Sequence, residues 1–303
     1  EHFSRNPLAD NIKISCPLIY DNAVWSSSII KERTGLMIND DEIAYIAFHL
    51  GSALEAQKEM ANKLSAVIYC PTYYNMNNRI YNVINQRFSS ELMIANIITE
   101  EADLEKISTP DFIISTVPMN TVSAVPKLLV QPFLSEADIT AIFQKTAEIR
   151  AAKNRETFTA YLKQLLLPDF FERSKHPATW QETIRTLCRK LEQHGYVNNH
   201  FETEVLEREE MSSTAFQNFA IPHALKMNAY KTGMLIRLFD TPIDWHGTPV
   251  SLVILLCFNR EERYIFNELF DPLTMILTDS TNLKKALTMP DYESFIQFLS
   301  TRL

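Results

Sequence analysis

The sequence predicts a multidomain protein: an α-helical module over residues 1–58, a small parallel α/β sheet over 63–150 and a further α/β domain over 155–303. Three observations support this division. A chain of 303 residues is expected to form two or three domains of ordinary size. Apolar residues recur at helical spacing in the first part, whereas short apolar strands alternate with helices in the second. In the third part, two helices precede a pair of strands and two more follow.

Composition is that of an ordinary globular protein. The chain is 46% hydrophobic and 22% charged, and its net charge of −8 argues against these residues holding a nucleic-acid backbone themselves. Its four cysteines are widely spaced without a C-x-x-C pair, which favours reduced thiols in a cytoplasmic protein. We expect no membrane insertion, because no apolar run is long enough to cross a bilayer. Metal-ligand spacing and Gly-rich nucleotide motifs are missing too, so we expect no metal and no cofactor.

The sequence of residues 1–58 predicts helices separated by a turn. One helical stretch begins at Asn6 and is broken at Cys16-Pro17, and another covers Leu18 to Glu32. A turn follows at Thr34–Leu36, and the N-cap and first-turn acids of residues 39–42 begin the next helix. The apolar stripe of that helix is Ile43, Ile46, Leu50 and Leu54, with His49 beside it.

The second part alternates strands and helices. Predicted strands are Leu64–Cys70, Leu92–Ile98, Asp111–Val117 and a short one within Pro126–Pro132, and predicted helices are Asn77–Phe88 and Ser135–Arg150. Such an order is typical of a parallel sheet, which binds ligands at the carboxyl ends of its strands.

The third part predicts a strand pair between helices. Predicted helices run from Thr179 to His194, Phe201 to Glu209, Glu262 to Asp279 and Asp291 to Leu303; the strands are Gly233–Phe239 and Ser251–Phe258. His246 falls in the turn between the strands and is expected to be an ordinary surface residue.

The block from Arg208 to His223 carries the clearest chemistry. Pro222 fixes its own φ and stiffens the segment that presents the His223 imidazole. A neutral imidazole can attack a phosphoryl group, and the phosphohistidine then needs nearby cations and hydrogen-bond donors. Arg208, Ser213 and Thr214 are residues of the right types. We therefore predict that His223 is a phospho-acceptor supported by these three; a purely structural histidine is the alternative.

Cys70 is a second candidate, because it ends the first predicted strand at the edge where ligands bind. A thiolate there, before a helix N-terminus, could accept a phosphoryl group. The following loop, residues 71–79, has two tyrosines and no glycine, which makes close backbone approach to phosphate difficult. A buried structural cysteine is the alternative.

Three resemblances to components of the bacterial sugar phosphotransferase system (PTS) follow from these residues. The block ending in Ala220-Ile221-Pro222-His223 resembles the active-site pattern of the mannitol/fructose-type enzyme IIA, which implies an α/β sandwich over 155–303. Asn6-Pro7-Leu8 and the run 41–49 resemble the second half of a PTS regulation domain, so that residues 1–58 would be a partial domain, which implies that His49 is a phosphorylation site rather than a packed helix residue. The strand closed by Cys70 resembles the start of an enzyme IIB-like domain.

One departure concerns the enzyme IIA pattern. That family carries a second active-site histidine on the helix after the last long strand, and the corresponding run here, residues 260–266, has none. Arg263 could supply charge in its place but cannot shuttle a proton. Full transferase competence is therefore in greater doubt than phosphate acceptance.

The resemblances together predict the phosphorylation-controlled regulatory part of a sugar-responsive bacterial transcription regulator, not an enzyme in its own right. The implied partners are the histidine phosphocarrier, sugar-specific enzyme II components and a second copy of the chain; DNA would bind through a domain preceding this fragment. A fused enzyme IIB-IIA sugar phosphocarrier is one alternative, which the helical module argues against. A related regulator with decayed phosphorylation sites is the other.

Overall fold

The protein forms two compact units in a computed structural model that describes residues 6, 12–13, 16–58, 63–72, 75–120 and 124–303. The larger unit combines residues 1–52 with 154–303, and the smaller unit consists of residues 53–153. The helical module and the C-terminal α/β part therefore belong to one structural unit, although the smaller unit separates them along the chain.

The smaller unit contains a parallel sheet, as predicted. Its described elements are β1 (Leu64–Tyr69), α3 (Met76–Phe88), β2 (Leu92–Ile98), β3 (Phe112–Ser115) and β4 (Lys127–Leu129), with a 3-10 turn at Glu101–Lys106. The strand order is β2-β1-β3-β4, and every pairing is parallel. The central strand β1 is covered on both faces: Ala66 and Ile68 belong to one apolar cluster, and Val67 and Tyr69 to another. This explains its apolar run from Ala66 to Tyr69.

The helix α4 (Glu136–Leu165) is longer than predicted. The prediction ended one helix at about Arg150 and began another helical stretch at Ala151; the structure has one continuous helix, because the sequence has no glycine or proline between Pro132 and Pro168. Its last turns belong to the larger unit.

The helical module consists of α1 (Pro17–Thr34) and α2 (Asp40–Lys58) in the part of the chain that the structure describes. Gly35, at φ 73°, ends α1 and donates its N–H to Lys31 O at 2.8 Å. Asn39 caps α2, since its side-chain oxygen accepts from Glu42 N at 2.9 Å. The core between the helices is formed by Tyr20, Ala23, Val24, Ile43, Ala44 and Ala47. Of the predicted stripe, Ile46 and Leu50 are half-buried, and Leu54 lies outside the described side chains.

The C-terminal α/β part is built on a mixed sheet of order β5-β8-β9-β7-β6. Its strands are β5 (Phe171–Ser174), β6 (Ala215–Phe216), β7 (Phe219–Ala220), β8 (Asn228–Trp245) and β9 (Thr248–Asn259). The long antiparallel pair β8–β9 turns through His246 and Gly247, both at positive φ (51° and 85°), as a two-residue hairpin of this kind requires. The prediction had shorter central strands and omitted β5, β6 and β7, which are too short to show periodicity.

Five helices surround this sheet in the described residues from 180 onward: α5 (Trp180–Gln193), α6 (Phe201–Met211), α7 (Arg263–Thr278), α8 (Ser280–Leu287) and α9 (Tyr292–Ser300). The predicted start of α5 is confirmed by a capping box between Thr179 and Glu182. The sequence analysis missed α8, which Asp279 caps by accepting from the N–H groups of Thr281 and Asn282. Helix α1 of the helical module packs against α7.

Candidate phosphoryl-acceptor site

His223 follows the short strand β7, and backbone hydrogen bonds to β9 hold the segment that carries it. Strand β7 pairs in parallel with β9, and Leu256 N donates to Pro222 O at 3.1 Å directly before the histidine. The imidazole is buried, with 4% of its surface exposed, and its Nδ1 lies 2.8 Å from Ile221 O. This contact fixes the ring orientation and leaves Nε2 as the second polar atom of the ring.

A carboxylate from the helical module meets Nε2. Asp21 on α1 places Oδ2 at 2.5 Å from His223 Nε2, and its Oδ1 accepts from Arg208 Nε at 3.1 Å and Nη2 at 2.6 Å. The third nitrogen of the guanidinium, Nη1, donates to Ser212 O at 2.5 Å. Asp21 and Arg208 are both buried. We call Asp21, Arg208 and His223 the charged cluster.

The charges of the cluster stabilise one another. Burial alone would raise the pKa of Asp21, but the charges and hydrogen bonds of His223 and Arg208 outweigh it and hold that pKa well below its ordinary value. Burial likewise would lower the pKa of Arg208, whereas Asp21 and Glu209 raise it overall. Asp21 is therefore an anion and Arg208 a cation at any physiological pH.

Glu209 fixes the loop beside the cluster. It is buried, and its Oε1 accepts from Thr214 N and from the indole Nε1 of Trp245, each at 2.7 Å. Its Oε2 accepts from the Thr214 hydroxyl, also at 2.7 Å. Thr214 thereby becomes part of the wall of the site, whereas Ser213 uses its hydroxyl within the loop to accept from Ala215 N at 3.1 Å.

Two openings adjoin the cluster, and Asp21 and His223 line both. The smaller is a cavity of about 40 Å³, and the larger is an open groove of about 560 Å³. The cavity is lined by Lys13, Tyr20, Asp21, Arg208, Thr214, Phe216, Phe219, Ile221, His223, Phe270 and Thr274. The groove is lined by Asp21, Asn22, Trp25, His223, Ala224, Leu225, Lys226, Met227, Asn228, Phe258 and Arg260. The groove is the wider approach to the imidazole, and Lys226 and Arg260 give it positive charge.

The other predicted site residues lie elsewhere. His49 is exposed on α2, where its ring makes an edge contact with Phe48 at 6.0 Å between centroids. Cys70 is buried directly after β1 in the smaller unit, with its Sγ 3.6 Å from Pro71 O. His246 is exposed at the hairpin turn and packs on Trp180 with 4.3 Å between ring centroids. The side chain of Arg263 lies outside those that the structure describes.

Two family models match the sequence. Residues 164–301 match the phosphoenolpyruvate-dependent sugar phosphotransferase system EIIA 2 family, and residues 2–53 match the PRD domain. The chain therefore contains a domain of each kind, which confirms the resemblance to PTS-regulated transcription regulators that the sequence predicted. The EIIA-like α/β fold of the C-terminal part is confirmed as well.

The curated relatives agree with the family models. The probable licABCH operon regulator of Bacillus subtilis is 30% identical over 95% of this chain and 44% of its own length, and the transcriptional regulator ManR of the same organism is 26% identical over 95% and 46%. The mannitol-specific phosphotransferase enzyme IIA component of Halalkalibacterium halodurans is 27% identical over 39% of this chain and 83% of its own. The chain spans less than half the length of the two regulators.

Two residues of the site were missed by sequence analysis. Glu209 stands next to Arg208 in the same block, so its position in the sequence was a usable signal. Asp21 lies 187 residues from Arg208 and 202 from His223, and no local pattern connects them. Among the described residues, no grouping of His, Cys and acids could hold a metal, and no helix is long and apolar enough to cross a membrane.

Replacing Glu209 tests its role as an anchor. Glu209→Ala leaves the Trp245 indole and the Thr214 amide without their acceptor, so it should lower the free energy of unfolding by about 2–6 kcal/mol. Glu209→Gln keeps one acceptor oxygen and should be markedly milder. Urea denaturation followed by tryptophan fluorescence measures both, since Trp25, Trp180 and Trp245 all lie in the larger unit. Glu210→Ala, an exposed neighbour, is the control. An equal loss for Glu209→Ala and Glu210→Ala would contradict the anchoring role.

Proposed function

We propose that this chain is the phosphorylation-controlled regulatory part of a sugar-responsive bacterial transcription regulator, in which His223 accepts a phosphoryl group. The observation that carries the proposal is the setting of His223 beside an open groove: its Nδ1 lies 2.8 Å from a backbone carbonyl, and its Nε2 contacts Asp21, whose other carboxylate oxygen binds the buried Arg208. Similarity to two transcription regulators along almost the whole chain supports the regulatory role.

The proposed chemistry uses Nε2 as the nucleophile. When Nδ1–H donates to Ile221 O, the neutral ring keeps its lone pair on Nε2. That lone pair forms the N–P bond, while the bond between phosphorus and the donor breaks and the donor atom keeps the electron pair. The guanidinium of Arg208 then stabilises the phosphoryl oxygens through charge-assisted hydrogen bonds.

The proposed partners follow from the same chemistry. The donor would be the histidine phosphocarrier or a sugar-specific enzyme II component of the PTS, which fits the similarity of the C-terminal domain to a mannitol-specific enzyme IIA component. We further propose cytoplasmic location, homodimers, and DNA binding through a domain outside these residues.

Residues 1–58, 63–150 and 155–303 are the proposed domains, with the second IIB-like and the third an α/β sandwich. Cys70 and His49 are proposed as additional phosphorylation sites.

A fused enzyme IIB-IIA phosphocarrier is less well supported. A transport phosphocarrier has no need of a PRD domain, and residues 2–53 match one. A regulator with decayed phosphorylation sites would differ from our proposal only in failing to accept phosphate, which labelling decides.

His223→Ala should abolish phosphorylation of the C-terminal domain. The chain is incubated with enzyme I, the histidine phosphocarrier and phosphoenolpyruvate, and acid-labile phosphate is mapped by mass spectrometry on residues 155–303, with Cys70 and His49 read in the same maps. His176→Ala, at an exposed loop histidine, should label like the parent. Full labelling of this domain in His223→Ala would refute the assignment of the acceptor.

Arg208→Lys should slow labelling or speed the loss of phosphate. Lysine keeps the charge but lacks the planar fork, and each charge-assisted hydrogen bond lost is worth roughly 1.5–3 kcal/mol. Rates of labelling and hydrolysis are compared with those of Arg189→Lys, whose side chain is exposed. If Arg208→Lys matches the parent in both rates, Arg208 has only a structural role.

His49→Asp and His49→Ala should shift the dimer fraction in opposite directions. A phosphoryl group adds about −1.5 to −2 charges, which aspartate partly reproduces, beside the exposed aromatic residues Tyr45 and Phe48 of α2. Sedimentation velocity measures the dimer fraction, and the same two substitutions at the exposed His176 are the control. Parent-like sedimentation of both His49 variants, with no phosphate mapped to α2, would rule out the regulatory role.

A further inference from the structure

The charged cluster joins two parts of the chain that the family comparisons treat separately. Asp21 belongs to α1 of the helical module, within the range that matches the PRD domain, whereas Arg208 and His223 lie in the range that matches EIIA. The carboxylate of the one domain therefore occupies the phosphoryl-acceptor site of the other, inside a single compact unit.

Asp21 blocks the acceptor atom. A phosphorus atom must approach Nε2 along the direction of its lone pair, in the plane of the ring. Asp21 Oδ2 is hydrogen-bonded to Nε2 at 2.5 Å, and because hydrogen bonds are nearly linear at the ring nitrogen, the oxygen lies close to that direction. No phosphoryl group fits between two atoms in such contact, so Asp21 must leave before the N–P bond can form.

Asp21 also binds Arg208, the cation that the phosphoryl group needs. Nε and Nη2 of Arg208 both donate to Asp21 Oδ1, and Nη1 donates to Ser212 O. The face of the guanidinium fork that would bind phosphoryl oxygens therefore binds carboxylate. A phosphoryl group and Asp21 compete for the same donors.

The hydrogen-bond partners of the His223 ring also oppose phosphorylation while α1 is docked. Ile221 O faces Nδ1 and the ionised carboxylate faces Nε2, and both oxygens can only accept. Both contacts are satisfied together only by the imidazolium, which has no lone pair with which to attack phosphorus. With α1 docked, His223 is therefore protected from phosphorylation both sterically and chemically.

We propose that Asp21 is a latch: docking of α1 on the charged cluster and phosphorylation of His223 exclude each other, so that phosphorylation releases the helical module from the C-terminal domain. This inference rests on the proposed function of His223. When the latch opens, the Nε2 proton goes to solvent, and the freed lone pair attacks phosphorus as described above; the leaving donor atom takes up a proton. The new dianionic group then repels Asp21 and takes its place on Arg208.

Two further contacts of the helical module near the cluster are longer. The Tyr20 hydroxyl of α1 and Nζ of Lys13, which precedes α1, each lie 3.4 Å from the Ser212 hydroxyl, at the limit of hydrogen bonding. Helix α1 also packs on α7. Through the charged cluster, a change of charge at His223 acts on α1 directly.

A small phosphodonor tests the latch without requiring a protein to dock. We would treat the full chain with phosphoramidate and follow phosphate on His223 by mass spectrometry for the parent, Asp21→Asn and Glu32→Gln. Asp21→Asn removes the charge that binds Arg208 and the imidazole, so the side chain leaves the site more readily and labelling should be about tenfold faster or more, as expected when one charge-assisted contact is lost. Glu32→Gln removes a charge from the exposed face of the same helix and should label like the parent.

Hydrogen–deuterium exchange reports on α1 itself. Phosphorylation of the parent should increase exchange in peptides covering Pro17–Thr34, and Asp21→Asn should show that increase before any phosphate is added. His223→Ala treated with phosphoramidate should show no further change, because it has no acceptor.

The outcomes separate the latch from the acceptor role. If His223 labels at the same rate in the parent and in Asp21→Asn, and exchange of α1 is unchanged, the latch is overturned while the acceptor role survives. Slower labelling of Asp21→Asn would also overturn the latch and would make Asp21 a positioning residue for the imidazole. Absence of label on His223 in every variant would overturn the proposed function and the latch together.

Discussion

The larger unit depends on one buried carboxylate, that of Asp21, held between an arginine and a histidine. The three side chains are buried together: the carboxylate accepts hydrogen bonds from the guanidinium on one oxygen and contacts the imidazole with the other. Removing one partner from such an arrangement leaves a buried charge unpaired, at a cost of about 3–5 kcal/mol. The cluster therefore favours two states, fully assembled or fully opened to water, over any intermediate one.

The two sides of this contact are not equally rigid. His223 follows β7, which is paired to the long β8–β9 hairpin, and Glu209 ties the Thr214 loop to Trp245 at the end of β8. Arg208 is anchored in turn to the Ser212 carbonyl at the end of α6. The acceptor side is thus embedded in the sheet, whereas α1 reaches it through one surface of a helix pair. When the cluster opens, we expect the helical module to move and the imidazole to stay in place.

Local sequence signals predicted what depends on neighbouring residues. Thr179 and Glu182 gave the start of α5 because a capping box joins residues three apart. The parallel sheet followed from alternating strands and helices, and the Pro222–His223 pair gave the residue that we propose as the acceptor. The edge strand β5 was missed because its four residues show no clear period and pair with residues 65 positions away. The predicted C-terminal end of α4 was wrong because the helix continues across the boundary between the two units.

Asp21 shows why the site itself was only partly predictable. The sequence placed this residue within a predicted helix, Leu18 to Glu32, but a polar residue on a helix is normally solvated, and its partners lie about two hundred positions further along. Only the tertiary structure shows that the helix places this carboxylate in contact with His223. Patterns identify a phosphorylatable residue from its own segment; the group that competes with phosphate must come from somewhere else in the fold.

The chemistry of the competition explains why a carboxylate suits this position. Carboxylate and phosphoryl oxygens both accept from a guanidinium fork, so Arg208 can bind either without rearranging. The phosphoryl group carries about twice the charge and is bonded covalently to the ring, so it does not have to be brought to Arg208 from a distance. Asp21 is thus strong enough to assemble the cluster in the absence of phosphate and too weak to keep it once the N–P bond has formed. A neutral residue would lack the first property, and a group with higher charge would lack the second.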